Sequence, residues 1–229
     1  MASNKIGELT ERSLHADLKA WYATPRDRLE VPVDGYIIDV VRRGTLIEIQ
    51  TRNFAAIKPK LNRLLCNHRL RLVYPIAREK WIVTTDVQGA VLRRTRSPKR
   101  GGYFELFREL IRIPSLVENP NLALEALLVD VEEWRCTDGK GSWRRGGSSI
   151  RDTRLLGVYG GRRFRRARDL AALIPARVGD EFTNTALAAA CRIHLSLARK
   201  TTYSLRRMGA LELGGMDGHA HVFRRTALP

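Results

Sequence analysis

Between residues 11 and 22 the apolar side chains Leu14, Leu18 and Trp21 fall at spacings of four and three, which draws one stripe down a helix. Pro25 follows and ends it. The period then shortens to β-branched runs at residues 29–33, 35–41 and 45–51, joined at Asp34-Gly35 and Arg43-Gly44, two dipeptides of hairpin type. A second helix fits residues 55–65, with Ile57, Leu61, Leu64 and Leu65 on its buried side, and residues 71–76 and 80–84 return as strands. The predicted order is helix, three-stranded meander, helix, strand.

From residue 93 the pattern loosens. The basic stretch RRTRSPKRGG closes a first domain over residues 1–92 and opens a connector region of mixed secondary structure over 93–179. Within it, Phe104, Phe107, Leu110 and Ile111 stripe a helix over 103–113, whereas residues 122–135 fit strand or helix equally. The last segment, 180–229, has the order of a helix-turn-helix. Thr183 caps a helix over 184–191, a turn at 192–194 leads into a helix over 195–208, and Gly209 stops it. Two short strands, 210–213 and 219–225, flank a glycine-rich loop. On the second helix Leu197, Ala198, Thr201 and Leu205 turn inward, which leaves Arg199, Lys200, Tyr203, Arg206 and Arg207 outward.

Charge narrows the class of partner. The 41 Lys and Arg against 24 Asp and Glu give a formal net charge of +17, a field that attracts polyanions. Residues 140–168 hold ten basic residues against the single acid Asp152, with Trp143, Tyr159 and Phe164 interleaved, a pattern expected of a phosphate-backbone track. Arg144 and Arg145 are its leading candidate contacts. No apolar run reaches the ~18 residues a spanning helix needs, and residues 1–12 lack a signal peptide's apolar stretch, so a cytoplasmic protein without a membrane partner is expected. The cysteines Cys66, Cys136 and Cys191 show no metal or redox spacing and are expected to be reduced.

The candidate chemistry lies in the meander. Asp39 and Glu48 sit among Ile and Val in strands that look buried, where an ionised carboxylate is costly unless paired, hydrogen-bonded or bound to a metal. Strand alternation puts Glu48 and Gln50 on one face. If Asp39 faces the same way, two carboxylates and an amide converge, and such oxygen donors suit Mg²⁺ or Mn²⁺.

This order of elements, with Asp39 followed by Glu48-Ile49-Gln50, resembles the PD-(D/E)XK, or restriction-endonuclease-like, nucleases over roughly residues 10–85. The resemblance implies an α/β nuclease core, a metal held by Asp39 and Glu48, and an assisting acid on the first helix, for which Glu11 matches. Two positions depart from the family pattern. Residue 33 is Val, so the Pro-Asp pair is absent, and Gln50 stands where the family's lysine supplies charge beside the attacking water. Lys58 or Lys60 on the next helix is a candidate source of that charge; the alternative for both is a solvated helix face or, for Lys60, a phosphate contact. A purely structural role would instead pair Asp39 and Glu48 with Arg42, Arg43 or Arg52. His15, on the first helix, is either a site residue or a structural one.

Residues 180–229 resemble winged-helix domains, whose second helix contacts DNA through residues such as Arg199, Lys200, Tyr203, Arg206 and Arg207. The expectation is a divalent-metal-dependent DNA endonuclease with Glu11, Asp39, Glu48 and Gln50 at its centre, and a homodimer is compatible with it. The alternatives are a DNA-binding regulator that retains an inactive nuclease fold and an RNA- or ribosome-associated basic protein.

Overall fold

The computed structural model describes residues 5–226, with side-chain detail from residue 13 onward. The chain opens with α1 (Lys5–Tyr22), the hairpins β1 (Arg28–Val33), β2 (Tyr36–Arg42) and β3 (Thr45–Ile49), then α2 (Phe54–Leu64) and β4 (Leu70–Thr85). It continues through β5 (Val91–Arg96), α3 (Phe107–Leu110), β6 (Leu122–Cys136) and β7 (Ser149–Phe164). Then come α4 (Ala167–Ala171), β8 (Glu181–Thr183), α5 (Asn184–Cys191), α6 (Leu195–Arg207), β9 (Leu211–Asp217) and β10 (Ala220–Arg225). The fold is mixed α/β.

Seven of these strands form one mixed sheet in the order β1-β2-β3-β4-β6-β7, with β5 paired to the outer half of β4. The β1-β2-β3 meander is antiparallel, β4 runs parallel to β3 after the α2 crossover, β6 is parallel to β4, and β7 is antiparallel to β6. One face packs α2 and the C-terminal helices, burying Phe54, Leu61, Phe107, Leu197 and Leu205. The other face packs α1 through Leu18 and Tyr22. The stripe of α1 thus follows Leu14, Leu18 and Tyr22, and Trp21, expected on it, is 52% exposed. Consecutive steps of four keep residues on one line of a helix, and the larger aromatic surface of Trp21 falls just off it.

Three expectations need correction. Residues 71–76 and 80–84 are not two strands but one, the sixteen-residue β4, and it runs through Pro75. The backbone of Val73 faces β3, since its carbonyl accepts Gln50 N–H at 2.9 Å. Pro75, two residues on, faces the same way, just beyond the end of β3, so its missing N–H costs no ladder bond. The region 93–179 is not a connector, because β5, β6 and β7 all belong to the sheet. The helix expected over 103–113 is a 3₁₀ turn at Tyr103–Leu106 followed by the four-residue α3.

The C-terminal segment follows its expected order. Thr183 Oγ1 accepts Ala186 N–H at 3.2 Å, Arg192 takes a left-handed conformation in the turn, and Gly209, at φ +77°, ends α6. The strands β8, β10 and β9 form a second sheet in that order. Its Phe182 and Phe223 join the same buried cluster as Phe107 and Phe164, so this segment is not set apart from the large sheet.

Candidate functional site

The β2–β3 ladder runs from Arg42↔Thr45 to Val40↔Ile47 and stops. On the other side of β2, the β1–β2 register passes over Glu30 and Asp39, with Glu30 bent to φ 52°. Strands β2 and β3 therefore separate at a fork, with Asp39 on one arm and Glu48 on the other. Asp39 Oδ2 spans the fork by accepting Ile49 N–H at 2.8 Å, and it also lies 3.1 Å from His15 Nε2 on α1. Glu48 is 7% exposed. Its Oε1 receives Lys60 Nζ of α2 at 2.6 Å, and the same ammonium donates to the Ile37 carbonyl at 2.7 Å.

The electrostatics separate the two carboxylates. Burial pushes Asp39 up, but the His15 hydrogen bond and charge, the Ile49 N–H and Lys60 together hold it below the usual carboxylate value. Burial, reinforced by the charge of Asp39, pushes Glu48 up, and Lys60 only partly offsets this. The hydrogen bond to Asp39 raises His15 against the opposing effect of its burial. Glu48 Oε2 is buried and has no hydrogen-bond partner. An orphaned carboxylate oxygen is costly in such a place, and a cation is the partner that would relieve it.

Of the residues expected at the site, Asp39 and Glu48 converge at the fork. Gln50 lies one residue beyond β3, and its amide donates to the Arg52 carbonyl. The side chain of Glu11 lies outside the described residues. Lys60, considered either as the source of the charge that Gln50 lacks or as a residue of a solvated face or phosphate contact, closes on Glu48. Arg42, one of the arginines considered as a structural partner, pairs with Asp27 (Nη2 to Oδ2, 2.7 Å) rather than with either carboxylate. Among the described residues, no cluster of three or more His, Cys, Asp or Glu is placed to hold a metal. The site therefore offers two carboxylates, and a cation there would complete its shell with substrate oxygens and water.

A cleft of about 580 Å³ begins two residues past the fork, at Thr51 and Arg52. Its floor is the stretch of β4 after β3 has left it and before β5 joins at Thr85–Trp81. Sequence reasoning missed this cleft, because β4 was expected as two strands and β7 as part of a connector region carrying a basic track.

The basic tract over 140–168 is less free than its composition suggests. Most of it is β7, and Arg151, Arg154 and Arg163 pair with Asp138, Asp152 and Glu125. Arg144 and Arg145 sit in a 3₁₀ turn at the β6–β7 tip beside Trp143, which is 81% exposed. On α6, Leu197, Ala198, Thr201 and Leu205 are buried; Arg199, Tyr203, Arg206 and Arg207 are exposed and Lys200 is half-buried. All three cysteines are free. No helix among the described residues is long and apolar enough to cross a membrane.

Residues 12–165 match the profile of the family described as "Domain of unknown function (DUF8091)". An uncharacterized protein of Treponema pallidum (strain Nichols) is 30% identical over 226 residues, covering 96% of this chain and 87% of the relative. No solved structure matches. The family match spans α1 through β7 and so contains both carboxylates, Lys60 and the cleft; the chain belongs to the DUF8091 family.

Proposed function

We propose that the protein is a divalent-metal-dependent DNA endonuclease of the restriction-endonuclease-like type, with a C-terminal winged helix that holds the DNA. The buried, unpartnered Glu48 Oε2 beside Asp39 carries this reading, because a fold keeps such an oxygen at a cost and a cation removes that cost. The α1, β1-β2-β3, α2, β4 order, with β4 parallel to β3, supports it, as does the forked site at the end of β3. The β8-β10-β9 sheet around α5 and α6 supports the winged-helix part.

A bound Mg²⁺ or Mn²⁺ would supply the positive charge that offsets the phosphate and acidifies an attacking water. Asp39 and Glu48 would hold it. Asp39 is fixed for this by Ile49 N–H and His15, so little reorganisation is needed. Lys60 furnishes near Glu48 the fixed charge that Gln50 lacks. Gln50, with its amide nitrogen bound to Arg52, keeps an amide oxygen as an acceptor that can orient water. Arg199, Arg206 and Arg207, with Lys200 and Tyr203, would contact phosphates or base edges from the outer side of α6. Arg144 and Arg145 offer a second phosphate contact at the β6–β7 tip.

A second reading, a DNA-binding regulator on an inactive nuclease fold, is favoured by the ion pairs that Lys60 and His15 already make with the carboxylates. Plasmid and single-stranded DNA incubated with Mg²⁺, Mn²⁺ or EDTA separate the two. Metal-dependent cleavage is expected from the wild type. Glu48→Ala should abolish it with less than about a tenfold change in DNA affinity, roughly 1.4 kcal/mol. Arg199→Ala combined with Lys200→Ala should weaken binding and leave cleavage recoverable at higher protein concentration. Tight binding without cleavage under any metal condition selects the regulator.

A further inference from the structure

The cleft next to the carboxylate fork has a composition of its own. Among the described residues, the cations Arg52, Lys80, Lys99 and Arg135 line it together with the carboxylates Glu105 and Glu133, and Lys99 lies 3.6 Å from Glu105. Two of those cations are held in place from below: Glu133, buried, accepts Lys80 Nζ at 2.6 Å through Oε2 and Arg135 Nε at 2.7 Å through Oε1. One carboxylate thus anchors two cations and leaves a net positive charge whose geometry is set before a ligand arrives.

Beside these charges the lining has an apolar part, including Pro75, Ile76, Ala77, Val129 and Val131, and the hydroxyls of Thr51, Ser97 and Thr153. An apolar ring system with an attached anion matches a lining that combines apolar side chains with anchored cations. A nucleotide has that chemistry. The volume, about 580 Å³, suits one such unit and is too small for the width of a duplex. The position points the same way. Thr51 and Arg52 line the cleft and directly follow Gln50, so a chain whose phosphate lay at the fork would place a neighbouring nucleotide at the cleft mouth.

We infer that the cleft receives one unpaired nucleotide of a nucleic-acid strand, next to the phosphate held at the fork, so that the substrate class is single-stranded or locally unpaired nucleic acid. The position of that phosphate rests on the nuclease reading; the occupant of the cleft does not. A free nucleotide shares the same chemistry, and the test distinguishes the two sources.

The test is fluorescence anisotropy of a labelled single-stranded oligonucleotide and of its fully paired duplex, with the full chain in EDTA so that nothing is cut. Thr153 lies on the cleft wall opposite Glu133 in the β6–β7 register, and Thr153→Trp fills the space without touching the fork. It should weaken the single strand about tenfold or more, as expected from loss of one stacked base, and leave the duplex within about twofold. Ile150→Trp, on the same wall, replaces it if Thr153→Trp melts early. AMP should compete with the single strand in the wild type. Unchanged single-strand affinity in a folded variant overturns the inference, and so does an equal loss for strand and duplex. AMP binding that does not displace the strand overturns it in favour of a free-nucleotide site. If the variant loses strand binding as expected while the wild type cuts nothing with any metal, the cleft assignment stands and the nuclease reading falls.

Discussion

Lys60 is the residue on which the candidate site turns. Its ammonium is the partner of a carboxylate that burial and Asp39 both push toward protonation, and both side chains are largely shielded from solvent. Removing one member of such a pair leaves the other desolvated and uncompensated. Lys60→Met should therefore cost roughly 3 kcal/mol at neutral pH, read as a shift of the urea midpoint, and the double variant with Glu48→Gln should recover most of it. Strictly additive losses would show that the pair is not coupled. Asp39 and Glu48 were legible in the sequence because carboxylates inside apolar strands stand out. Lys60 was legible only as one option among several, since a lysine on an amphipathic helix carries no local sign of which carboxylate it will meet.

At the level of elements, the position of α1 matters because it brings His15 to Asp39. A clamp holds its C-terminal end. Arg42 binds Asp27 through Nε at 2.9 Å and Nη2 at 2.7 Å, and donates to the Tyr22 carbonyl at 2.6 Å. The Tyr22 hydroxyl donates to Glu125 at 2.6 Å and accepts from Arg71 at 2.6 Å. Arg42 beside Asp27, together with the Thr24 hydrogen bonds and against the effect of burial, holds that carboxyl far below the usual range. A carboxyl depressed in the folded state contributes stability above its unfolded value, near 3.8, and loses it as the pH falls toward the folded one. Asp27→Asn should thus cost roughly 2 kcal/mol at pH 7, and the gap to the wild type should narrow progressively below about pH 4. Denaturation series at pH 7, 5 and 3 measure it, and a gap that stays constant would mean the charge is not what the clamp uses.

The whole molecule is more continuous than its sequence suggests. The family match ends at residue 165, yet the buried cluster continues through Leu170, Phe182, Leu187, Leu197, Leu205 and Phe223. A chain stopped after residue 165 would expose the faces of Leu106, Phe107 and Phe164 that these residues cover. It should lose a sharp, cooperative calorimetric transition and bind a hydrophobic dye. A truncated chain that melts as sharply and as high as the full one would show that the last third is an appended, independent unit. A chain stopped after residue 92 should fare worse, because it leaves β4 without β6 through the centre of the sheet.

Local pattern alone determined much of this protein. The period of two in residues 29–51, the period near four in α1, α2 and α6, the cap at Thr183 and the stop at Gly209 are short-range preferences, and each element formed where they point. The tertiary structure decided what depends on distant partners. β7 is rich in Gly and Arg and has little strand preference of its own; it is a strand because β6 pairs along it and because Glu125 and Asp138, outside it, answer Arg163 and Arg151. β6 itself, ambiguous by periodicity, was settled by neighbours on both sides. The fork between β2 and β3, the cleft along β4 and the meeting of Lys60 with Glu48 arise where strands and helices far apart in sequence come together. Period and composition report which residues are buried. Which buried residues meet is set by packing, a property of the whole chain.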